Sequence, residues 1–255
     1  MLSLILLAAA QTPAIDVAAL VRDVDPGRLR ATVEKLVSFP TRNTLSPALK
    51  DSVAWLADEY RKIPGLQVEV MTYRVEAGRR VPEAMDVQQV VAVLPGRTDR
   101  RLLVGGHMDS RSLQVDAKTG RAPGANDDAS GTALALELAR VMARSKWNQT
   151  LVFVGFTGEE QGLLGSRALS QRAKAEGWKL EAVLSSDIVG SSSNKAGQTE
   201  KGLVRVFSDD PDPAGELSFT HPDQKNTFSE SYDVFTTGDI HTGAAVVGLI
   251  SLALL

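Results

Sequence analysis

An α/β fold, with helices layered on both faces of a mixed, mostly parallel central sheet, is what this sequence predicts. Two observations carry that expectation. The apolar runs Leu102-Leu103-Val104, Leu151-Val152-Phe153-Val154 and Ala182-Val183-Leu184 are short and continuous, the pattern of strands buried on both faces, and helix-patterned segments separate them. The chain also has 255 residues, 43% of them hydrophobic and 23% charged, enough apolar material for one globular domain with a real core.

The first residues, Met1 to Gln11, form an apolar run that ends in small residues, like the hydrophobic stretch and cleavage site of a secretory signal, although no basic residue precedes it. Residues 1–10 are therefore expected to be a signal peptide, and the protein to be secreted or periplasmic. The run is too short to span a bilayer as a helix, so no stable membrane insertion is expected. Asp25-Pro26 reads as an N-cap followed by proline at the first helical position, with Leu29, Val33, Leu36 and Val37 at helical spacing up to Pro40. A second helix is expected from near Pro47 to Lys62, with Val53, Leu56 and Tyr60 facing inward. Leu66, Val68 and Val70 alternate with polar residues as in a half-buried strand. Gly78-Arg79-Arg80 reads as a turn, and Val90 to Leu94 as the next strand.

Beyond the central stretch, Leu163 to Trp178 is expected to be a helix lying on the sheet. Ser191 to Lys201 reads as a loop, Leu203 to Phe207 as a strand, residues 208–238 as a long polar region, and Ala244 to Leu255 as an apolar terminal helix. No internal repeat or linker is evident. Residues 25–255 are read as one catalytic domain whose C-terminal part is atypical or shortened.

The chemistry sits where strands end. Leu102-Leu103-Val104 runs into Gly106-His107-Met108-Asp109-Ser110, and Thr150 to Phe156 runs into Thr157-Gly158-Glu159-Glu160. Ala182 to Leu184 runs into Ser185-Ser186-Asp187. Between the first two lies the loop Pro123 to Gly131, which carries Asp127 and Asp128. In open α/β sheets the carboxyl edge of the strands is where ligands bind. Taken singly, each residue has an ordinary structural explanation: a turn or helix cap for Asp127-Asp128, a solvated helix start for Glu159-Glu160, a loop residue for Asp187, a satisfied polar side chain for His107. Taken together, carboxylates gathered at one edge repel one another unless a cation lies between them. A pair of divalent ions would remove that cost, and one of two adjacent glutamates could then bind metal while its neighbour acts as general base.

Composition narrows the metal. There is no cysteine, which excludes thiolate ligands, a cysteine nucleophile and a disulfide scaffold. With only three histidines, carboxylates must dominate a site that still suits zinc. The net charge of −3, with no basic face, argues against a nucleic-acid partner.

These segments, in this order, resemble the co-catalytic zinc aminopeptidases, a family that includes glutamate carboxypeptidase and has glutaminyl cyclase and the transferrin receptor ectodomain as relatives. The similarity runs from about Asp25 to Phe207. It implies a three-layer α/β/α sandwich of the phosphorylase/hydrolase-like zinc peptidase type, acting as a metal-dependent exopeptidase on a peptide substrate, most simply as an aminopeptidase. It further implies two zinc ions per chain. His107 and Asp187 would hold one, Glu160 the other, and Asp127 would bridge them. Asp109 would orient the His107 ring without touching metal. Glu159 would be the general base acting on a water shared by the ions, and the Asp127-Asp128 peptide bond would be cis.

The family draws a last zinc ligand from a histidine in an aliphatic-His-Thr context. Ile240-His241-Thr242 fits, so His241 is the expected ligand, with His221 as its rival. The family's following acidic residues are replaced here by Gly243-Ala244-Ala245, and the region after Asp187 reads as shorter than the family's. Two other readings follow from the same residues: a single-zinc cyclase of N-terminal glutamine, and a binding-only relative without activity.

Overall fold

The computed structural model describes residues 16–191, and the structural statements below concern those residues. The signal-type run 1–10, the strand expected at 203–207, the polar region 208–238, the terminal helix 244–255, His221 and His241 all lie outside them.

Helix α1, Val17–Arg22, precedes α2, Pro26–Ser38. The start of α2 is the one the sequence announces: the Asp25 carboxylate accepts hydrogen bonds from the backbone N–H groups of Gly27 and Arg28, and Pro26 occupies the first turn. Leu29, Thr32 and Leu36 form its buried face, with Val33 and Val37 half-buried at the edges of the stripe. Helix α3, Leu49–Arg61, buries Val53, Leu56 and Tyr60, as the spacing predicts.

Five strands follow: β1, Gln67–Val75; β2, Met85–Leu94; β3, Arg100–His107; β4, Thr150–Phe156; and β5, Lys179–Ser185. The order across the sheet is β1-β2-β4-β3-β5. β3 pairs in parallel with both β4 and β5, whereas β2 runs antiparallel to β1 and to β4. The sheet is therefore mixed and mostly parallel in direction: among the described strands β1, β4, β3 and β5 run one way and β2 runs against them. The parallel set is the part that builds the site. Its registers place His107 opposite Phe156 and Gly105 opposite Ser185, so three loops leave one edge side by side.

Helix α4, Ser130–Met142, packs on β3 and β4, and α3 packs on β1 and β2. Helix α5, Leu164–Ala175, covers the opposite face, where Nε2 of the buried Gln89 on β2 donates to the Gly165 carbonyl at 3.1 Å. The result is the three-layer α/β/α sandwich. Its core joins Leu56, Leu134, Leu138, Leu151, Val152, Phe153 and Val154, all at 1% exposure or less. Removing each such side chain from water contributes about 1.5–3 kcal/mol, and this burial drives the helices onto the sheet. No helix among the described residues is long and apolar enough to cross a membrane.

Candidate metal centre

Two glycines let the helix and the sheet edge come close enough to share a site. A Cβ on Gly106 of β3 would lie 2.5 Å from the Gly131 carbonyl carbon, and a Cβ on Gly131 would lie 2.1 Å from the Ser186 carbonyl oxygen. Both values are far inside van der Waals contact, so the N-terminus of α4 reaches β3 and the end of β5 only because neither position carries a side chain. The turn Ala125–Ala129, which feeds α4, has non-helical backbone at Asp127 and Asp128, and the bond between them is cis, as the family resemblance implies.

His107 ends β3. Its ring Nδ1 sits 3.1 Å from the Asp109 carbonyl oxygen, so the proton on Nδ1 donates there and Nε2 faces outward. Nε2 lies 3.0 Å from Asp127 Oδ1 and 3.7 Å from Asp187 Oδ1. Those carboxylates are half exposed, at 52% each, while the ring is 5% exposed: the histidine forms the floor and the two acids the rim. Burial on its own would lower the His107 pKa, but the bonds from Asp109, Asp127 and Asp187 raise it above its ordinary value. In return the His107 bond holds Asp127 below the usual carboxylate range.

Ligand-type atoms of His107, Asp128 and Asp187 all lie within 4.8 Å of one another, a spacing that a metal ion could bridge. That grouping takes in Asp128 rather than Asp127, although Asp127 Oδ1 is 3.0 Å from His107 Nε2, and hydrogen bonding favours Asp127. Asp128 is fully buried, and both its oxygens are engaged: Oδ2 accepts from the His107 backbone N–H at 3.1 Å, and Oδ1 from the Gly131 N–H at 2.7 Å and the Ser130 hydroxyl at 3.3 Å. Burial pushes its carboxyl up to about 8. Asp128 thus reads as the wall that joins β3 to α4, and Asp127 as the acid that faces the mouth.

Asp109 is fully buried and links two loops. Its Oδ2 accepts from the Thr44 hydroxyl at 3.0 Å and the Glu160 N–H at 3.4 Å, and its Oδ1 from the Glu159 N–H at 3.4 Å. Thr44 Oγ1 in turn accepts from the Gly158 N–H at 2.9 Å. The acid pair after β4 is thereby fixed against the histidine loop. Burial raises the Glu159 carboxyl above its ordinary value, with His107, Asp109, Asp187 and Asp127 all within electrostatic reach. Glu160 is 7% exposed, and burial pushes it up to about 7 against the pull of Arg111, whose Nε sits 2.8 Å from Oε2.

His107, Asp109, Asp127, Glu159, Glu160 and Asp187 therefore converge on one edge, and three further residues that the sequence did not single out join them. Thr44 lies in a loop of ordinary polar composition, and Arg111 looks like any surface cation. Arg42 follows the bend at Pro40 with nothing in its neighbours to mark it as buried. The donor set suits zinc: one imidazole nitrogen, presented with its other nitrogen already held, and carboxylate oxygens that otherwise repel one another.

Fold and site together define a three-layer α/β/α domain with a histidine-carboxylate cluster, a candidate metal site, at the carboxyl edge of its parallel strands. Residues 89–243 match the family model of peptidase family M28, and the chain belongs to that family. It is 41% identical over 223 residues to a probable zinc metalloprotease of Pyricularia oryzae, an alignment covering 81% of this chain and 44% of the relative. It is 33% identical over 202 residues to leucine aminopeptidase 1 of Pyrenophora teres f. teres, covering 77% of this chain and 51% of that protein. The chain thus spans about half the length of the curated relatives it matches. Among solved structures, LapB from Legionella pneumophila superposes with a TM-score of 0.57 at 25% identity, over 70% of this chain and 47% of that one.

Proposed function

We propose that this chain is a zinc-dependent exopeptidase that removes N-terminal residues from peptides. The observation that carries the reading is the His107 ring: Nδ1 is held by the Asp109 carbonyl while Nε2 faces Asp127 and Asp187 at the mouth of the cluster. His107 and Asp187 would hold one zinc ion, Glu160 and His241 a second, and Asp127 would lie between them. When bound, the ions supply Lewis acidity, polarising the scissile carbonyl and lowering the pKa of water.

The chain's own residues do the rest. Asp109 keeps the His107 ring in one orientation and tethers the backbone of Glu159 and Glu160. Glu159 is the general base, taking a proton from the attacking water and passing it to the leaving amine. Its carboxyl is held above the ordinary range by burial, the direction that strengthens a carboxylate as a proton acceptor. The acids left free at the rim would hold the substrate's α-amino group. The catalytic unit is read as residues 25–255, and the secreted or periplasmic location rests on the apolar run at residues 1–10.

Zinc stoichiometry and hydrolysis of aminoacyl-nitroanilides, measured on the same preparation, test this reading. Two zinc ions per chain and turnover that is lost on chelation and restored by zinc are expected. One zinc with cyclisation of N-terminal glutamine would replace the reading with a cyclase. Zinc uptake with no turnover on any aminoacyl substrate would leave a binding protein.

A further inference from the structure

Arg42 is the largest fully buried side chain among the described residues, yet no carboxylate accepts from it. Its guanidinium donates only to backbone carbonyls: Nε to Met108 at 2.7 Å, Nη1 to Leu36 at 2.8 Å and Pro123 at 2.7 Å, and Nη2 to Gly124 at 2.9 Å. The backbone repeats the connection. Ser110 N–H donates to the Arg42 carbonyl at 3.2 Å, Arg42 N–H to Ser110 Oγ at 3.3 Å, and Ser110 Oγ to the Ala122 carbonyl at 2.7 Å. A guanidinium stays charged at any physiological pH, and burying it without an ion partner is costly. A methionine or leucine would fill the space without that cost, so the fork itself must be needed.

The places it grips say what for. Met108 lies between His107 and Asp109. Pro123 and Gly124 lead into the turn that carries Asp127, and the Gly124 carbonyl also accepts from the Ala129 N–H that closes this turn at 3.0 Å. One rigid planar group therefore sets the spacing between the loop of the histidine and the loop of the facing acid. Burial lowers the guanidinium pKa to about 10, and the neighbouring acids Asp109, Asp128 and Asp127 offset only part of that cost.

We propose that Arg42 is a positioning residue for the metal centre, its guanidinium fork holding the Met108, Pro123 and Gly124 carbonyls so that His107 Nε2 and the Asp127 carboxylate converge. The inference rests on the proposed ligand roles of His107 and Asp127. Because removing a nearby positive charge would by itself tighten cation binding, the informative variant keeps the charge and loses the fork.

That variant is R42K, made in the 255-residue chain. Zinc affinity is read by competition with a chromophoric chelator, and the melting temperature of the metal-free protein is measured alongside. The lysine's single ammonium cannot span three segments, and zinc affinity should fall by roughly 10–100-fold, the loss usual for groups that orient ligands. In R42A the loss of the fork should outweigh the removal of the charge and leave zinc affinity below wild type; millimolar guanidinium should restore part of it, whereas the same concentration of sodium chloride should not. R42K that melts lower but binds zinc as tightly as wild type would overturn the inference and leave Arg42 as a structural clasp between α2 and the loops. Guanidinium that raises the melting temperature of R42A without moving zinc affinity would do the same. If R42A does not fold, R42K alone decides. Wild-type protein that takes up no zinc would instead remove the ligand assignment, a failure that the wild-type titration separates from the first.

Discussion

Asp127 and Asp128 share one peptide bond and little else. Asp127 is half exposed, and its carboxylate faces the outward nitrogen of His107. Asp128 is fully buried and accepts from two backbone N–H groups and a serine hydroxyl. Glu159 and Glu160 differ in burial alone: Glu160, the proposed ligand, is buried against Arg111, while Glu159, the proposed base, is half-buried near the cluster. Residue type and spacing do not separate the members of such a pair. What separates the two aspartates is how much of each carboxylate's accepting capacity the protein has already used, because an oxygen that closes a helix start has little left to offer a cation.

The largest effect that this contrast predicts is at Glu159. E159Q preserves shape and removes the proton acceptor, so kcat should drop by roughly 10²–10⁴-fold, the usual contribution of general base catalysis, with zinc content unchanged. Robust turnover by E159Q would reject Glu159 as the base.

Next come the two aspartates, whose variants should show crossed phenotypes. D127A should fold with near wild-type stability and lose zinc affinity. D128A should lose about 3 kcal/mol of stability, since it strands the buried backbone N–H donors of His107 and Gly131. Chemical denaturation and chelator competition on both proteins check this. Asp128 is exchanged with Asp127 as the ligand if D128A folds normally and D127A binds zinc as tightly as wild type.

Gly131→Ala probes the same wall without touching a carboxylate. Its methyl group would collide with the Ser186 carbonyl, one residue before Asp187, and with both Asp128 oxygens. Overpacking of this kind costs about 1–3 kcal/mol, and zinc affinity should weaken as Asp187 is displaced. A variant that loses stability while keeping zinc affinity would show that Asp187 follows its own loop rather than the α4 contact.

Much of this was legible in the sequence, for physical reasons that differ by element. The start of α2 was readable because Asp25-Pro26 acts locally, and the apolar runs of β3 and β4 because a strand buried on both faces has no polar position to spare. β2 begins at Met85 rather than at Val90, because Asp86 and Gln88 face outward and Gln89 is buried only through its bond to the Gly165 carbonyl. The extra antiparallel pairing of β2 with β4 is a matter of strand order, which periodicity does not encode. At the site, His107, Asp127, Glu159, Glu160 and Asp187 were grouped by their places at or between the ends of buried strands and by the family resemblance, not by residue type alone. Arg42 and Thr44 were invisible because their partners come from segments far along the chain.

The smallest effect tests the contrast from outside the cluster. Glu69 on β1 and Glu176 beyond α5 are also paired acids, but their partner is Arg172, whose Nη1 lies 2.8 Å from Glu69 Oε2 and whose Nε lies 2.8 Å from Glu176 Oε1. All three side chains are between 31% and 49% exposed, so water screens the pairs and the acids lose little solvation on folding. E69Q should therefore change stability by at most about 0.5 kcal/mol, an effect that shrinks further in high salt. Zinc affinity should stay at the wild-type value, because the Arg172 pair lies on the α5 face and not among the loops that carry His107 and Asp127. A loss at E69Q comparable to that at D128A would mean that exposure, and not the engagement of both carboxylate oxygens, is the wrong criterion for telling a surface acid from a wall acid.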